Sequence, residues 1–150
     1  MQDVTKDRDK YIGGSDIPVI MGLSPFKTRW QLLQEKVGIK ENDFTGNEYT
    51  EYGNVMEEKI REHINVWYGY KFREDKRING RLRYHADGYD QDGIILEIKT
   101  TSHIYESVDD YKVYLVQMAL GVEMFDAGKG LLAVYERPDN FDDYFDPDRL

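Results

Sequence analysis

A layered α/β (α+β) domain is the fold class that the sequence predicts, on three observations. Helical spacing dominates the first half of the chain. Alternation and aliphatic runs take over from Tyr70 to Lys99, punctuated by turn chemistry. A helix and a buried strand then follow, at Tyr111–Val122 and Leu131–Tyr135. The expected architecture is a central mixed sheet containing an antiparallel meander, flanked by helices, in one domain over residues 1–150. That length suffices for a real hydrophobic core.

In chain order, Ser15 reads as the N-cap of a short helix with Pro18 in its first turn, ending at Gly22. Ser24-Pro25-Phe26-Lys27 is a turn, after which Thr28 can cap a helix from Arg29 to Val37, stopped by Gly38. Residues 39–49 are polar and predict a surface loop. Tyr52, Met56, Ile60, Ile64 and Trp67 recur at three- and four-residue spacing, which predicts a helix over Thr50–Tyr68 with Gly69 as its stop. Strands are expected at Tyr70–Arg73, Arg81–Tyr89 and Gly93–Lys99, separated by Asn79-Gly80 and Asp90-Gln91-Asp92-Gly93. The two tryptophans, Trp30 and Trp67, are expected to pack in the core.

Composition narrows the chemistry. Cysteine is absent, so disulfides, thiolate zinc sites, iron–sulfur clusters and cysteine nucleophiles are all removed. No apolar run approaches the roughly 18–20 residues that span a bilayer, and the charged start of the chain lacks a signal-peptide core. A cytoplasmic protein without membrane contact is the expectation. The net charge of −9 weighs against a general nucleic-acid binder. Five aspartates between Asp139 and Asp148 supply part of it, while Lys6, Arg8, Lys10, Lys27 and Arg29 gather in the first thirty residues. A local basic patch can therefore still steer a polyanion.

The chemistry-bearing constellation lies on the meander. Asp87 falls near the end of one strand and Glu97 within the next, so a tight antiparallel connection can bring both carboxylates to one point. Glu97 and Lys99 alternate and project from one face. They sit among Ile94, Ile95, Leu96 and Ile98, where charge is costly unless it is paired or metal-bound. Two carboxylates can hold Mg²⁺ or Mn²⁺, which polarises a phosphate and acidifies water, and an adjacent ammonium can orient that water. Taken alone, the same residues also fit a plain cross-strand ion pair. Glu57 on the long helix and Gln117 on the later one are each ordinary surface residues by themselves. Their order around Asp87, Glu97 and Lys99 carries the information.

Five segments occur in sequence: Arg8 with Ile12-Gly13-Gly14-Ser15-Asp16; Ser24 to Thr28 leading to Glu35-Lys36-Val37-Gly38; Gly53 to Glu57; Ala86-Asp87-Gly88 with Leu96 to Thr100; and Tyr114 to Gln117. This array resembles the YqaJ-type viral recombinase family, which includes the phage lambda exonuclease, within the PD-(D/E)XK nuclease superfamily. The resemblance implies a restriction-endonuclease-like core and a 5′→3′ exonuclease acting on double-stranded DNA ends. By position it implies that Asp87, Glu97, the Ile98 carbonyl and Glu57 serve a Mg²⁺ or Mn²⁺ site. Lys99 would position the attacking water and Gln117 would complete the pocket. Arg8 and Ser15 match the pair that grips the 5′-phosphate of the digested strand. A single-strand annealing protein as partner, a ring-shaped trimer and a bacterial host cytoplasm are implied as well. The family's usual length implies a further strand and helix beyond Glu136–Leu150, making this a minimal or a truncated form. An endonuclease or junction resolvase would use the same Asp87, Glu97 and Lys99. A catalytically silent binding or assembly module of the same fold is the competing class, favoured by the acidic charge.

Overall fold

The computed structural model describes residues 5–42 and 46–150. Among the described residues, four α-helices and four strands make up the frame: α1 (Asp16–Ile20), α2 (Arg29–Lys36), α3 (Glu48–Tyr68), β1 (Arg73–Asn79), β2 (Leu82–Asp90), β3 (Ile94–Thr101), α4 (Lys112–Met124) and β4 (Lys129–Glu136). The sheet order is β1-β2-β3-β4. The first three strands form the expected antiparallel meander, and β4 returns parallel to β3 after the crossover through α4. The sheet is therefore mixed and flanked by helices.

Local chemistry explains most element ends. Thr28 and Gln31 form a reciprocal capping box at α2. The Asn47 side chain caps α3, which starts two residues earlier than the expected Thr50, and Gly69 ends it in the left-handed conformation at φ 75°. Part of the predicted 39–49 loop, residues 43–45, lies outside the described residues. Ser15 occupies the cap position of α1, but its side chain makes no capping bond. Asp16 instead accepts from the Gly13 N–H at 2.9 Å.

Two expectations need correction. The first strand is Arg73–Asn79, not Tyr70–Arg73. The Phe72 N–H and C=O are taken by the Asn65 side chain, and the Lys71 N–H by Asp90, so side chains occupy the groups that a ladder would need. The charged run Glu74–Arg77 lacks the alternation that marks a half-buried strand. Neither tryptophan is in the core: Trp30 is 64% and Trp67 74% exposed.

The sheet separates two apolar layers. Ile94, Leu96 and Ile98 face α3, joining Tyr52, Met56, Ile60 and Ile64 with Ala133 and Tyr135 of β4. Ile95 faces the other way, with Tyr84, Ala86, Met118 and Phe125. A strand covered on both faces reads as a continuous aliphatic run, as Ile94–Leu96 does. Among the described residues, no helix is long and apolar enough to cross a membrane.

Met56 is fully buried at the centre of the α3 layer. Met56→Ala should lower the unfolding free energy by about 2–5 kcal/mol in urea titrations. Val66→Ala, on the exposed side of the same helix, should stay within about 0.5 kcal/mol of wild type.

Candidate active site

Two departures from sheet regularity open the site. Strands β2 and β3 pair only from Gly88↔Leu96 to Asp90↔Ile94, next to their turn. On the side where they separate, Ile12 takes the vacated edge of β2, exchanging bonds with the Arg81 carbonyl (2.7 Å) and the Arg83 N–H (2.9 Å). This sets the Gly13-Gly14-Ser15 turn beside Tyr84. The second departure is a bulge. Arg73 pairs with Tyr89 and Asp75 with Ala86, so Asp87 and Gly88 stand opposite the single residue Glu74. Tyr84 and Tyr89, an odd number of residues apart, consequently pack into one layer.

A cavity of about 950 Å³ lies at this opening, lined by Asp87, Glu97, Ile98, Lys99, Glu57 and Gln117, with Arg8 and Ser15 also on its wall. All sequence-predicted side chains thus share one concavity. Glu97 is almost fully buried and heavily satisfied. Tyr84 donates its hydroxyl to Oε2 at 2.6 Å, and the Gln117 amide donates to Oε1 at 3.1 Å. Lys99 Nζ lies 3.0 Å from the same Oε1 and 5.2 Å from the centre of the Tyr114 ring. Asp87 accepts from the Ile98 N–H at 2.8 Å, so its carboxylate is tied to the residue following Glu97.

Glu57 stands in a neighbouring ion-paired group. Arg61 Nη1 reaches Glu57 at 3.2 Å, Glu74 at 3.5 Å and the Asp87 carbonyl at 3.1 Å. Arg61 therefore ties α3 to the bulge. Neither Arg61 nor Glu74 was picked out from the sequence. The spacing Glu57-x-x-x-Arg61 was available as a helical pair, whereas Glu74 enters only through the bulge.

The electrostatics follow from burial first and crowding second. Burial raises Asp87 well above the usual carboxylate range, helped by the charges of Glu97 and Glu57 and opposed by the Ile98 N–H and Lys99. Burial and the nearby Glu74 push Glu57 up to about 7, against Arg61. Burial pulls the Lys99 ammonium down, but Glu97 and Asp87 outweigh it and leave it raised. Among the described residues, no three His, Cys, Asp or Glu side chains form a ready metal-binding group. Glu57 lies on the same cavity wall as Asp87 and Glu97, close enough for its charge to act on Asp87. The donor set still suits a hard divalent ion. Asp87 and Glu97 are oxygen donors whose mutual repulsion a cation would relieve, and water and phosphate can fill the remaining positions.

The cavity wall is not the basic surface that a polyanion would prefer. Among the described lining residues, nine carboxylates (Asp7, Asp9, Asp16, Glu35, Glu41, Glu57, Glu74, Asp87, Glu97) outnumber six cations (Arg8, Lys27, Lys36, Lys40, Arg83, Lys99). Lys27 and Lys36 are moreover paired, with Glu35 at 2.7 Å and Asp16 at 2.9 Å. Of the five N-terminal basic residues noted in the sequence, Arg8 and Lys27 reach this wall.

The raised Glu57 carboxyl has a thermodynamic consequence. Between the ordinary value of 4.5 and about 7, the folded protein holds a proton at Glu57 that the unfolded chain releases. Folding stability therefore falls as pH rises through that window. In metal-free buffer, Glu57→Gln should raise the melting temperature relative to wild type more at pH 8 than at pH 5, measured by calorimetry.

The chain is similar to known proteins in sequence and in fold. The curated protein YqaJ of Bacillus subtilis (strain 168) is 30% identical over 128 residues, which is 77% of this chain. The chain spans about 40% of that relative's length. In fold it is similar to the phage-related exonuclease of Haemophilus somnus 129PT, with a TM-score of 0.65, 20% identity, and coverage of 92% of this chain and 74% of the other. It is likewise similar to LHK-Exo, solved in complex with dAMP, with a TM-score of 0.68, 18% identity, and coverage of 88% and 73%. The family description that matches, over residues 4–120, is the YqaJ-like viral recombinase domain. This chain belongs to that family.

Proposed function

We propose that this domain is a divalent-metal-dependent deoxyribonuclease that digests double-stranded DNA from its ends in the 5′→3′ direction. The observation that carries the reading is the meeting of Asp87, Glu97 and Lys99 in one cavity with Arg8 and Ser15 on its wall. Asp87 and Glu97, with the Ile98 carbonyl, would hold Mg²⁺ or Mn²⁺, and Glu57 would act from beside them. The bound ion would supply Lewis acidity toward the phosphate and a more acidic water. Lys99, fixed by Glu97 and Tyr114, places an ammonium where it can orient water and meet charge building on phosphate oxygens. Gln117 holds Glu97 in place. Arg8 offers a guanidinium fork to a terminal phosphate, and Ser15 is exposed at the turn beside it.

The comparisons support this reading at the level of family and of exonuclease folds. The same membership supports a role in phage recombination within a bacterial cell, with a single-strand annealing protein as partner and a trimer as assembly. A silent binding module of the same fold is favoured by one observation: carboxylates outnumber cations along the cavity.

The assay is degradation of linear duplex DNA with Mg²⁺ or Mn²⁺, with closed circular duplex as control. Lys99→Ala should slow cleavage by about 10²- to 10³-fold while calorimetric Mn²⁺ binding persists; wild-type rates in that variant would remove Lys99 from the chemistry. No degradation by the wild-type protein would favour the binding module. Arg8→Ala should erase any rate advantage of 5′-phosphorylated over 5′-hydroxyl ends, and retention of that advantage would place end recognition elsewhere.

A further inference from the structure

Gly14 and Gly121 are glycines that backbone conformation does not require: both lie outside the positive-φ region. Gly121 also sits inside α4, where glycine costs about 1 kcal/mol relative to alanine. Contact explains both. A Cβ on Gly121 would lie 2.4 Å from Tyr84 Cε1, and one on Gly14 would lie 2.8 Å from Tyr84 Cε2. The Gly14 Cβ would also meet Gln117 Cγ at 3.1 Å. The Tyr84 ring is therefore held between the N-terminal turn and α4.

At its far end the ring delivers its hydroxyl to Glu97 Oε2, while Gln117 and Lys99 meet Oε1. We infer that Tyr84 is a positioning residue for Glu97, and that Gly14 and Gly121 exist to seat it. This rests on the metal-dependent reading above. A glutamate's terminal torsion is broad, so a carboxylate gripped at one oxygen only can still turn. With donors on both oxygens its plane is set, and one orientation is offered to a cation. Any side chain at Gly14 would meet both uncharged donors to Glu97, so the turn bearing Ser15 packs closely against them.

Tyr84→Phe keeps the ring in its seat and removes only the hydroxyl. Partners that orient a metal ligand are typically worth about 10–100-fold in metal affinity. Titration of the metal-free protein with MnCl₂ by calorimetry should show a loss of that size in Tyr84→Phe. The half-saturating Mn²⁺ concentration for DNA cleavage should shift by the same factor. Gly14→Ala, which displaces Tyr84 and Gln117 together, should weaken Mn²⁺ binding at least as much. A merely structural tyrosine would lower the melting temperature and leave Mn²⁺ affinity alone. Wild-type Mn²⁺ affinity in Tyr84→Phe overturns the inference while the metal site stands. Absence of Mn²⁺ binding by the wild-type protein overturns the metal reading and this inference with it.

Discussion

Glu97 is 3% exposed on β3, between the aliphatic residues Leu96 and Ile98. Moving a carboxylate out of water costs several kcal/mol even after the protein relaxes, and leaving it unpaired there would forfeit a large part of a domain's net stability. The surrounding elements are arranged to meet that demand. Lys99 comes from the same strand, Tyr84 from β2 and Gln117 from α4. Tyr84 and Gln117 require β2 and α4 at set distances from β3, so satisfying this one side chain fixes the relative placement of three elements.

The same demand shapes the backbone. A regular β2–β3 ladder running past Gly88↔Leu96 would occupy the Ile98 N–H or its surroundings with main chain. The strands separate instead, and the Asp87 side chain accepts from that N–H. The bulge opposite Glu74 changes the phase of β2 at Asp87–Gly88, and Arg61 ties the displaced Asp87 carbonyl to α3. Carboxylates are concentrated where the sheet is least regular. Burial first, and their crowding second, raises Asp87 and Glu57, and a bound cation would relieve the crowding.

The acidic balance of the whole chain extends into the cavity, where cations are outnumbered. Under the proposed function, a divalent ion would offset two of those charges where a phosphate would approach. Affinity for a polyanion and occupancy by metal are in that case linked, because the same carboxylates repel the one and attract the other.

Periodicity and turn chemistry made α3, the two strand connections and the α4–β4 crossover legible in the sequence, because they depend on neighbours three to four or two residues away. Asp87, Glu97 and Lys99 were legible as well, since an alternating Glu-x-Lys beside a tight turn constrains side-chain direction locally. Tyr84 was not. Strict alternation from Asp87 gives it the opposite face, and only the bulge, the strand separation and the clearance at Gly14 and Gly121 bring its hydroxyl to Glu97. Glu74 was hidden for the same reason, since it meets Asp87 only through the bulge. Sequence alone determined most of the elements, β1 excepted, and which charges must be reconciled, because those follow from short-range geometry and the cost of burial. The tertiary structure decided which donors reconcile them, because that depends on distances between segments that no local pattern encodes.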